Sequence, residues 1–266
     1  MFGGGFNVGI NVKANEIIYN DILSQITDLL ITFKTHTKEE IFKLILNTIK
    51  QFDLSDSTKH TYEEYGYNSS NGLGEYNKNA YLKLREAYNQ IEIKSTNKDI
   101  MLYTLVCYSF SNQIRFNSNN KFNMPYGKRD FNRNIRENLN RFLVKLHEIN
   151  VKFFNKDFTK FPFDNLISKD FVYADPPYLI TCANYNNGWN ETRERQLLDI
   201  LDNLHINNIK FALSNVLEMN GKSNDILKEW SKKYTIHQLN SNYANANYHK
   251  KNKNKNDTVE VLITNY

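Results

Sequence analysis

Phe171-Val172-Tyr173-Ala174-Asp175-Pro176-Pro177-Tyr178 is the stretch on which the reading of this chain turns. Phe171–Ala174 is a short apolar strand, and the two prolines that follow stop it, because proline fixes φ and has no N–H for a ladder. Asp175 therefore stands at the carboxyl end of a strand, the place where open α/β sheets bind ligands. The tetrapeptide Asp175-Pro176-Pro177-Tyr178 suits one chemical task. The exocyclic amine of a nucleobase is a poor nucleophile, since its lone pair is delocalised into the ring. A carboxylate and a backbone carbonyl that accept its two N–H groups localise that pair and aim it at an electrophile. The proline pair keeps the carbonyls of the turn free and rigidly oriented. Tyr178 offers an aromatic face on which an extruded base stacks. Read alone, the same four residues also fit a proline-stiffened turn with Asp175 as an ordinary cap.

Outward from this stretch, strands and helices alternate. Candidate strands are Val151–Phe154, Phe171–Ala174, Ile209–Leu213, Thr235–Leu239 and Val259–Thr264, and candidate helices are Glu191–His205 and Ser223–Lys233. That order predicts an α/β fold with a mostly parallel sheet covered on both faces. Val259, Val261 and Ile263 alternate after the Lys/Asn-rich loop His249–Asn256, which predicts a hairpin and an antiparallel edge strand. Toward the N-terminus, the Gly-rich opening MFGGGFNVGINV reads as a loop entering an apolar helix or strand, and Glu16–Asp21 as a short β-like run. From there to about residue 150 the periodicity is helical. Thr37 and Glu40 form a capping box ahead of the stripe Ile41, Leu44, Ile45, Ile49. Tyr81, Leu84 and Tyr88 repeat the pattern, as do Ile135, Leu139, Leu143 and Leu146, and Ser55–Asn79 is a turn-rich loop. The expected organisation is an α/β domain made of residues 1–51 and 149–266, with a mainly helical insertion at 52–148.

Composition narrows the function classes. Hydrophobic residues at 40% and aromatics at 14% supply a core, so the chain is not a disordered segment. Apolar runs such as Ile100–Cys107 are too short to span a bilayer, and no secretory signal opens the sequence. Cys107 and Cys182 make neither a disulfide framework nor a metal set, which points to reduced thiols and a cytoplasmic setting. The six histidines show no ligand spacing, so no metal site is expected. A net charge of +5 permits nucleic-acid binding without requiring it.

One stretch does suggest nucleic acid. Residues 110–136 interleave rings with cations: Phe110, Arg115, Phe116, Lys121, Phe122, Tyr126, Lys128, Arg129, Arg133 and Arg136. An arginine fork matches guanine O6 and N7 together. Lys128 and the run Lys250, Lys251, Lys253, Lys255 suit phosphates, which add affinity without sequence information. A solvated surface is the bland reading of such a loop.

Three segments together, FVYADPPYLIT, FSNQIRFN and FNMPYGKR, resemble the Dam family of adenine-N6 DNA methyltransferases, and the order of motifs agrees along the whole chain. The resemblance implies a Rossmann-like methyltransferase sheet, S-adenosyl-L-methionine as methyl donor, and double-stranded DNA as substrate. It further implies methylation of a flipped adenine in a short palindrome such as G-A-T-C, and it leaves restriction-modification, phage-borne and regulatory roles all open. It assigns catalysis to Asp175, Pro176, Pro177 and Tyr178. Cofactor binding falls to Phe2, Gly3, Gly4, Gly5, Asp21, Asp157, Phe158 and Asp175, with Asp21 on the ribose and Phe158 flanking the adenine ring. DNA contact falls to Phe110, Ser111, Gln113, Arg115, Pro125, Lys128 and Arg129, with Arg115 and Arg129 reading bases and Phe110 wedging into the duplex. Family members carry a further strand and a lysine-bearing segment before the glycines, so that N-terminal strand is expected to be missing here. Two alternatives follow: a non-catalytic DNA-binding remnant or half of a split enzyme, and the same chemistry on cytosine-N4 or an RNA base.

Overall fold

The computed structural model describes residues 1–181, 188–239 and 258–266. By packing, the chain divides into two units: an α/β unit of Met1–Gly3, Asn20–Ile22 and Asn155–Tyr266, and a helical unit of Gly4–Tyr19 and Leu23–Phe154. These boundaries differ from residues 51/52 and 148/149, because the first two long helices share a core with the later ones.

The helical unit contains α1 (Ser24–Thr35), α2 (Lys38–Gln51), α3 (Gly74–Gln90), α4 (Thr96–Tyr108) and α5 (Arg133–Glu148). α2 starts where the capping box sets it, with Glu40 N–H donating to Thr37 Oγ1 at 3.2 Å and Thr37 N–H to Glu40 Oε2 at 2.8 Å. Its stripe buries Ile41, Ile45 and Ile49. α4 is apolar on nearly every side, as a central helix must be. It buries Ile100, Met101, Leu102, Leu105, Cys107 and Tyr108 against α1, α2 and α3. Each such side chain contributes about 1.5–3 kcal/mol on burial. Burial also pushes the Cys107 thiol up to about 12, so it stays protonated and inert. The turn-rich segment before α3 is tied down by Asp130, which is fully buried. Its carboxylate accepts from Ser57 N–H at 2.6 Å, Ser57 Oγ at 2.8 Å and Ser55 Oγ at 3.4 Å. Next to it, Arg136 donates to Asp56 at 2.6 Å.

The strands β1 (Ile17–Asn20) and β2 (Val151–Phe154) pair in a two-stranded sheet of their own. This corrects the expectation that Val151–Phe154 belongs to the main sheet. The reason lies in their apolar sides: Ile17, Tyr19, Val151 and Phe153 pack into the core of the helices, with Phe6 edge-on to Tyr19. The Gly-rich opening forms a single 3-10 turn, Gly9–Asn11, and neither a helix nor a strand of any length.

The main sheet of the α/β unit comprises β3 (Phe171–Ala174), β4 (Lys210–Met219), β5 (Lys222–Ser223), β6 (Thr235–Leu239) and β7 (Thr258–Thr264), in the order β3-β4-β7-β6 with β5 paired to β4. β3 and β4 are parallel, Ala174 opposite Leu213, while β4 with β5, β4 with β7, and β6 with β7 are antiparallel. The sheet is thus mixed, and its described ladders are not mostly parallel. An antiparallel hairpin does lie at its edge, but β6 takes the outer place and β7 the inner. Side-chain chemistry sorts the two. β7 buries Val261 and Ile263, whereas Thr235, Ile236, His237, Gln238 and Leu239 of β6 are all exposed. β4 runs six residues past the predicted Leu213, buried from Phe211 through Val216. α6 (Glu191–Ile206) covers β4 with Leu197, Leu198, Leu201 and Leu204, and the short α7 (Asp225–Ser231) is capped by Asn224. The loop His249–Asn256 with its four lysines, and Cys182, lie outside the described residues. Among the described residues no helix is long and apolar enough to cross a membrane.

Candidate active site and nucleic-acid interface

The strand end predicted to carry the chemistry is built by two neighbouring parallel strands. β3 delivers Asp175 one residue past Ala174, and β4 delivers Ser214 one residue past Leu213, the partner of Ala174. Tyr178 folds back between them: its hydroxyl donates to Asp175 Oδ1 at 3.0 Å and lies 3.3 Å from Ser214 Oγ. Thr181 closes the turn, with N–H and Oγ1 both donating to Tyr178 C=O at 3.1 and 3.0 Å. Asp175 opens to solvent as a residue, yet the protein around its carboxyl group raises the pKa above the ordinary carboxylate range. The Tyr178 hydrogen bond opposes that shift. Burial raises the Tyr178 hydroxyl too, so it remains a donor. Pro176 is buried and Pro177 half-buried, and neither has an N–H to compete for the turn's carbonyls. The result is a carboxylate held by one oxygen, with its second oxygen Oδ2 accepting no hydrogen bond among the described residues.

The α/β unit also gathers most of the residues assigned to the cofactor. Gly3 N–H donates to Asn20 C=O at 2.9 Å, Asn20 and Lys156 exchange two bonds of 3.0 Å, and Asn155 Nδ2 donates to Asp21 C=O at 2.7 Å. These bonds stitch residues 1–3, 20–22 and 155–158 together. Phe2, in the left-handed region at φ 56°, sets its ring 5.2 Å from that of Phe158. The Met1 amine donates to Tyr173 C=O at 2.8 Å; burial lowers it to about 6, against the pull of the Asp21 and Asp175 carboxylates. Gly4 and Gly5 belong to the helical unit, where Gly4 C=O accepts the Tyr19 hydroxyl at 2.9 Å.

Three side chains that the sequence reading missed complete this region. Trp189 packs 5.5 Å from both Phe2 and Phe158, and Arg193 lies 4.3 Å over the Phe158 ring while pairing with Asp157. Phe158 is accordingly buried. Burial works to raise the Asp157 carboxyl, and the bonds from Arg193 and Thr159 outweigh it, holding the pKa below the usual range. Glu194, fully buried on α6, accepts from Trp189 Nε1 at 2.7 Å, Asn224 Nδ2 at 3.0 Å and Asn215 Nδ2 at 3.3 Å. Burial raises its pKa, against those three bonds. The available signal was polar residues inside an apolar strand, Ser214-Asn215 within β4, since buried polar groups need partners.

The residues assigned to DNA come together within the helical unit on two strand-like segments. Ser109 bridges Tyr126 and Phe116 bridges Phe122, both antiparallel. Phe110 N–H donates to Pro125 C=O at 2.9 Å and Gly127 N–H to Tyr108 C=O at 2.7 Å. Phe110 projects outward, 55% exposed, from a tight turn in which Ser111 and Asn112 are both left-handed, at φ 54° and 53°. Asn112 holds that turn by donating from Nδ2 to the C=O groups of Val106 and Cys107 at 3.1 and 3.0 Å, capping α4. Ser111, Gln113, Pro125, Lys128 and Arg129 are exposed, and Arg115 is half-buried. Lys128 C=O accepts Leu73 N–H at 2.9 Å. Glycine is required at Gly127, where a Cβ would stand 2.3 Å from Ser109 O. Tyr81, Leu84 and Tyr88 are buried, as their periodicity predicts.

Comparison with known proteins shows which family the chain belongs to. Residues 1–245 match the family described as D12 class N6 adenine-specific DNA methyltransferase. The chain is 42% identical over its full length to the type II methyltransferase M.FokI of Planomicrobium okeanokoites. It is 38% identical, again over its full length, to the modification methylase StsI of Streptococcus sanguinis. To the modification methylase LlaI of Lactococcus lactis subsp. lactis it is 30% identical over 99% of its length. It spans 38% of the length of each of these three relatives. This chain belongs to the D12 class of N6 adenine-specific DNA methyltransferases.

Proposed function

We propose that the chain transfers a methyl group from S-adenosyl-L-methionine to the exocyclic N6 of an adenine turned out of duplex DNA, as the modifying part of a restriction-modification system. The observation that carries the reading is the Asp175 carboxylate at the end of β3, pinned through one oxygen by Tyr178. The residues of the α/β unit fit the cofactor: two carboxylates, Asp21 and Asp157, suited to a ribose hydroxyl and a ring amine, an aromatic cluster of Phe2 and Phe158, and Gly3 without a Cβ atom. When bound, the cofactor supplies an electrophilic sulfonium methyl group.

The rest is work for this chain's own groups. Asp175 accepts an N–H of the target amine and localises its lone pair. A prolyl-turn carbonyl takes the second N–H, and the Tyr178 ring backs the base. The charge developing on the amine as it attacks is stabilised by the carboxylate, a preorganised electrostatic contribution. Phe110 fills the gap left in the duplex, Arg115 and Arg129 read base edges, and Lys128 holds phosphate. Among short sites, a palindrome such as G-A-T-C is the first to test.

The decisive measurement pairs methyl incorporation with DNA affinity for Asp175→Ala. Loss of one such acceptor costs about a hundredfold or more in rate, with affinity nearly unchanged. Retention of more than about a tenth of the activity refutes the role of Asp175.

A further inference from the structure

Arg115 does not wave free in solvent. Its Nε donates to Asn123 Oδ1 and its Nη2 to Asn123 C=O, both at 2.8 Å. One asparagine thus occupies the whole side edge of the guanidinium. What remains is the end of the fork, Nη1 with the outer hydrogen of Nη2, and that pair of donors fits the O6 and N7 acceptors of guanine.

Asn123 is itself held in place from behind. Its N–H donates to Arg115 C=O at 3.0 Å, so the two residues face each other across the ribbon. The segment around it is gripped by one face of α3, at positions i, i+4 and i+8. The Tyr81 hydroxyl and Arg85 Nη1 donate to Met124 C=O at 2.9 and 3.1 Å. Asn89 donates from Nδ2 to Phe122 C=O at 3.0 Å and accepts Phe122 N–H at 2.8 Å. Residues four apart line one side of a helix, so this is a rigid rail along which residues 122–124 are fixed. A long side chain loses rotamer freedom when it binds a base, and a guanidinium already fixed through two bonds has lost it beforehand.

We infer that Asn123 is the positioning residue that aims Arg115 end-on at a guanine, with Asn89 as its support on α3. The inference rests on the proposed reading of Arg115 as a base-reading residue, and it adds a residue assigned no role by that reading.

The test uses a duplex enriched from a random-sequence library by the unmodified protein, its scrambled counterpart, and thermal denaturation of every variant. Arg115→Ala is expected to shrink the ratio of the two affinities by about 5- to 150-fold, the range of one bidentate guanine contact. Asn123→Ala is expected to shrink the ratio by at least about fivefold, and the double variant to do no worse than Arg115→Ala alone. Asn123→Asp keeps an acceptor for Nε. Its negative charge weakens both duplexes alike, so the ratio stays within about twofold of the unmodified protein. Asn123→Ser, polar but too short to reach Nε, carries the same test as the alanine if that variant fails to fold. A merely structural asparagine lowers the melting temperature and both affinities together and leaves the ratio alone. If Arg115→Ala lowers the ratio and the Asn123 variants do not, or if the two losses multiply in the double variant, the inference falls and the reading of Arg115 stands. If no duplex is enriched, or Arg115→Ala leaves the ratio unchanged, both fall.

Discussion

Replacing Glu194 by glutamine removes one charge and no volume, and the geometry says where the damage lands. Glu194 Oε1 receives Asn224 Nδ2 and Asn215 Nδ2, and Oε2 receives Trp189 Nε1. A glutamine has a single acceptor oxygen, so one of these two groups meets an NH2. Neither asparagine can turn its amide round without loss. Asn215 Oδ1 already accepts Val216 N–H at 2.8 Å, and Asn224 Oδ1 caps α7 through Leu227 N–H at 3.0 Å. The glutamine oxygen therefore goes to the asparagines, and the indole N–H of Trp189 is left facing a donor. A buried donor without a partner costs about 1–3 kcal/mol. The neutral amide escapes the burial penalty that raises the pKa of Glu194, which offsets part of this. A net loss of about 1–2 kcal/mol follows, or a fall of roughly 4–10 °C in the melting of the α/β unit. The local readout is sharper. The chain has two tryptophans, Trp189 and Trp230, so in a Trp230→Phe background the emission reports Trp189 alone. Glu194→Gln is expected to shift that emission to the red and to increase its quenching by acrylamide. Unchanged emission together with unchanged melting refutes the claim that Glu194 holds Trp189 against Phe2 and Phe158.

Two further outcomes follow from the helical unit. Burial raises the pKa of Asp130, the Ser57 bonds oppose the shift, and the neighbouring Asp56 charge adds to it. The folded protein therefore binds this proton more tightly than the unfolded chain, and the contribution of Asp130 to stability is fully present below about pH 4 and declines as pH rises through its elevated pKa. Denaturant titrations from about pH 4 to 7 are expected to show the unmodified protein losing stability relative to Asp130→Asn as pH rises, and a constant difference contradicts the burial of an ionisable Asp130. Gly127→Ala places a Cβ 2.3 Å from Ser109 O and 3.0 Å from Phe110 N, both backbone atoms. Overpacking of this kind costs about 1–3 kcal/mol, so thermal denaturation shows a clear fall, and an unchanged melting temperature contradicts the close approach of the two segments.

Local signals in the sequence were legible where one residue type decides an outcome. The Pro-Pro pair ends β3 where it was read to end, Thr37 and Glu40 start α2, and the bounds of β2, β3 and β6 match the sequence reading. Features set by partners distant in sequence were not legible. Nothing in Val259-Glu260-Val261-Leu262-Ile263 says that the strand lies inside the sheet; the exposed polar character of β6, its neighbour, decides that. The packing of α1 and α2 with α4 depends on α4 being apolar all round, which reads equally well as a buried run of any kind. The candidate residues that sit in motifs, Asp175 and Tyr178 among them, could be named from the sequence. Trp189, Arg193, Glu194, Asn123 and Asn89 could not, because each acquires its role only through a partner on another segment.

The place of β7 has a consequence in time. It follows both of its sheet neighbours in the chain, and among the described residues β4 and β6 each pair with β7 and not with each other. On the ribosome, α1 to α5 emerge and can settle while the α/β unit is still unfinished. β3 and β4 then pair with one long apolar edge of β4 bare, Phe211 through Val216, until the strand that closes it arrives. A pause in translation between β6 and β7 lengthens the life of that bare edge and the risk that another chain adds to it. A pause before residue 155 does neither.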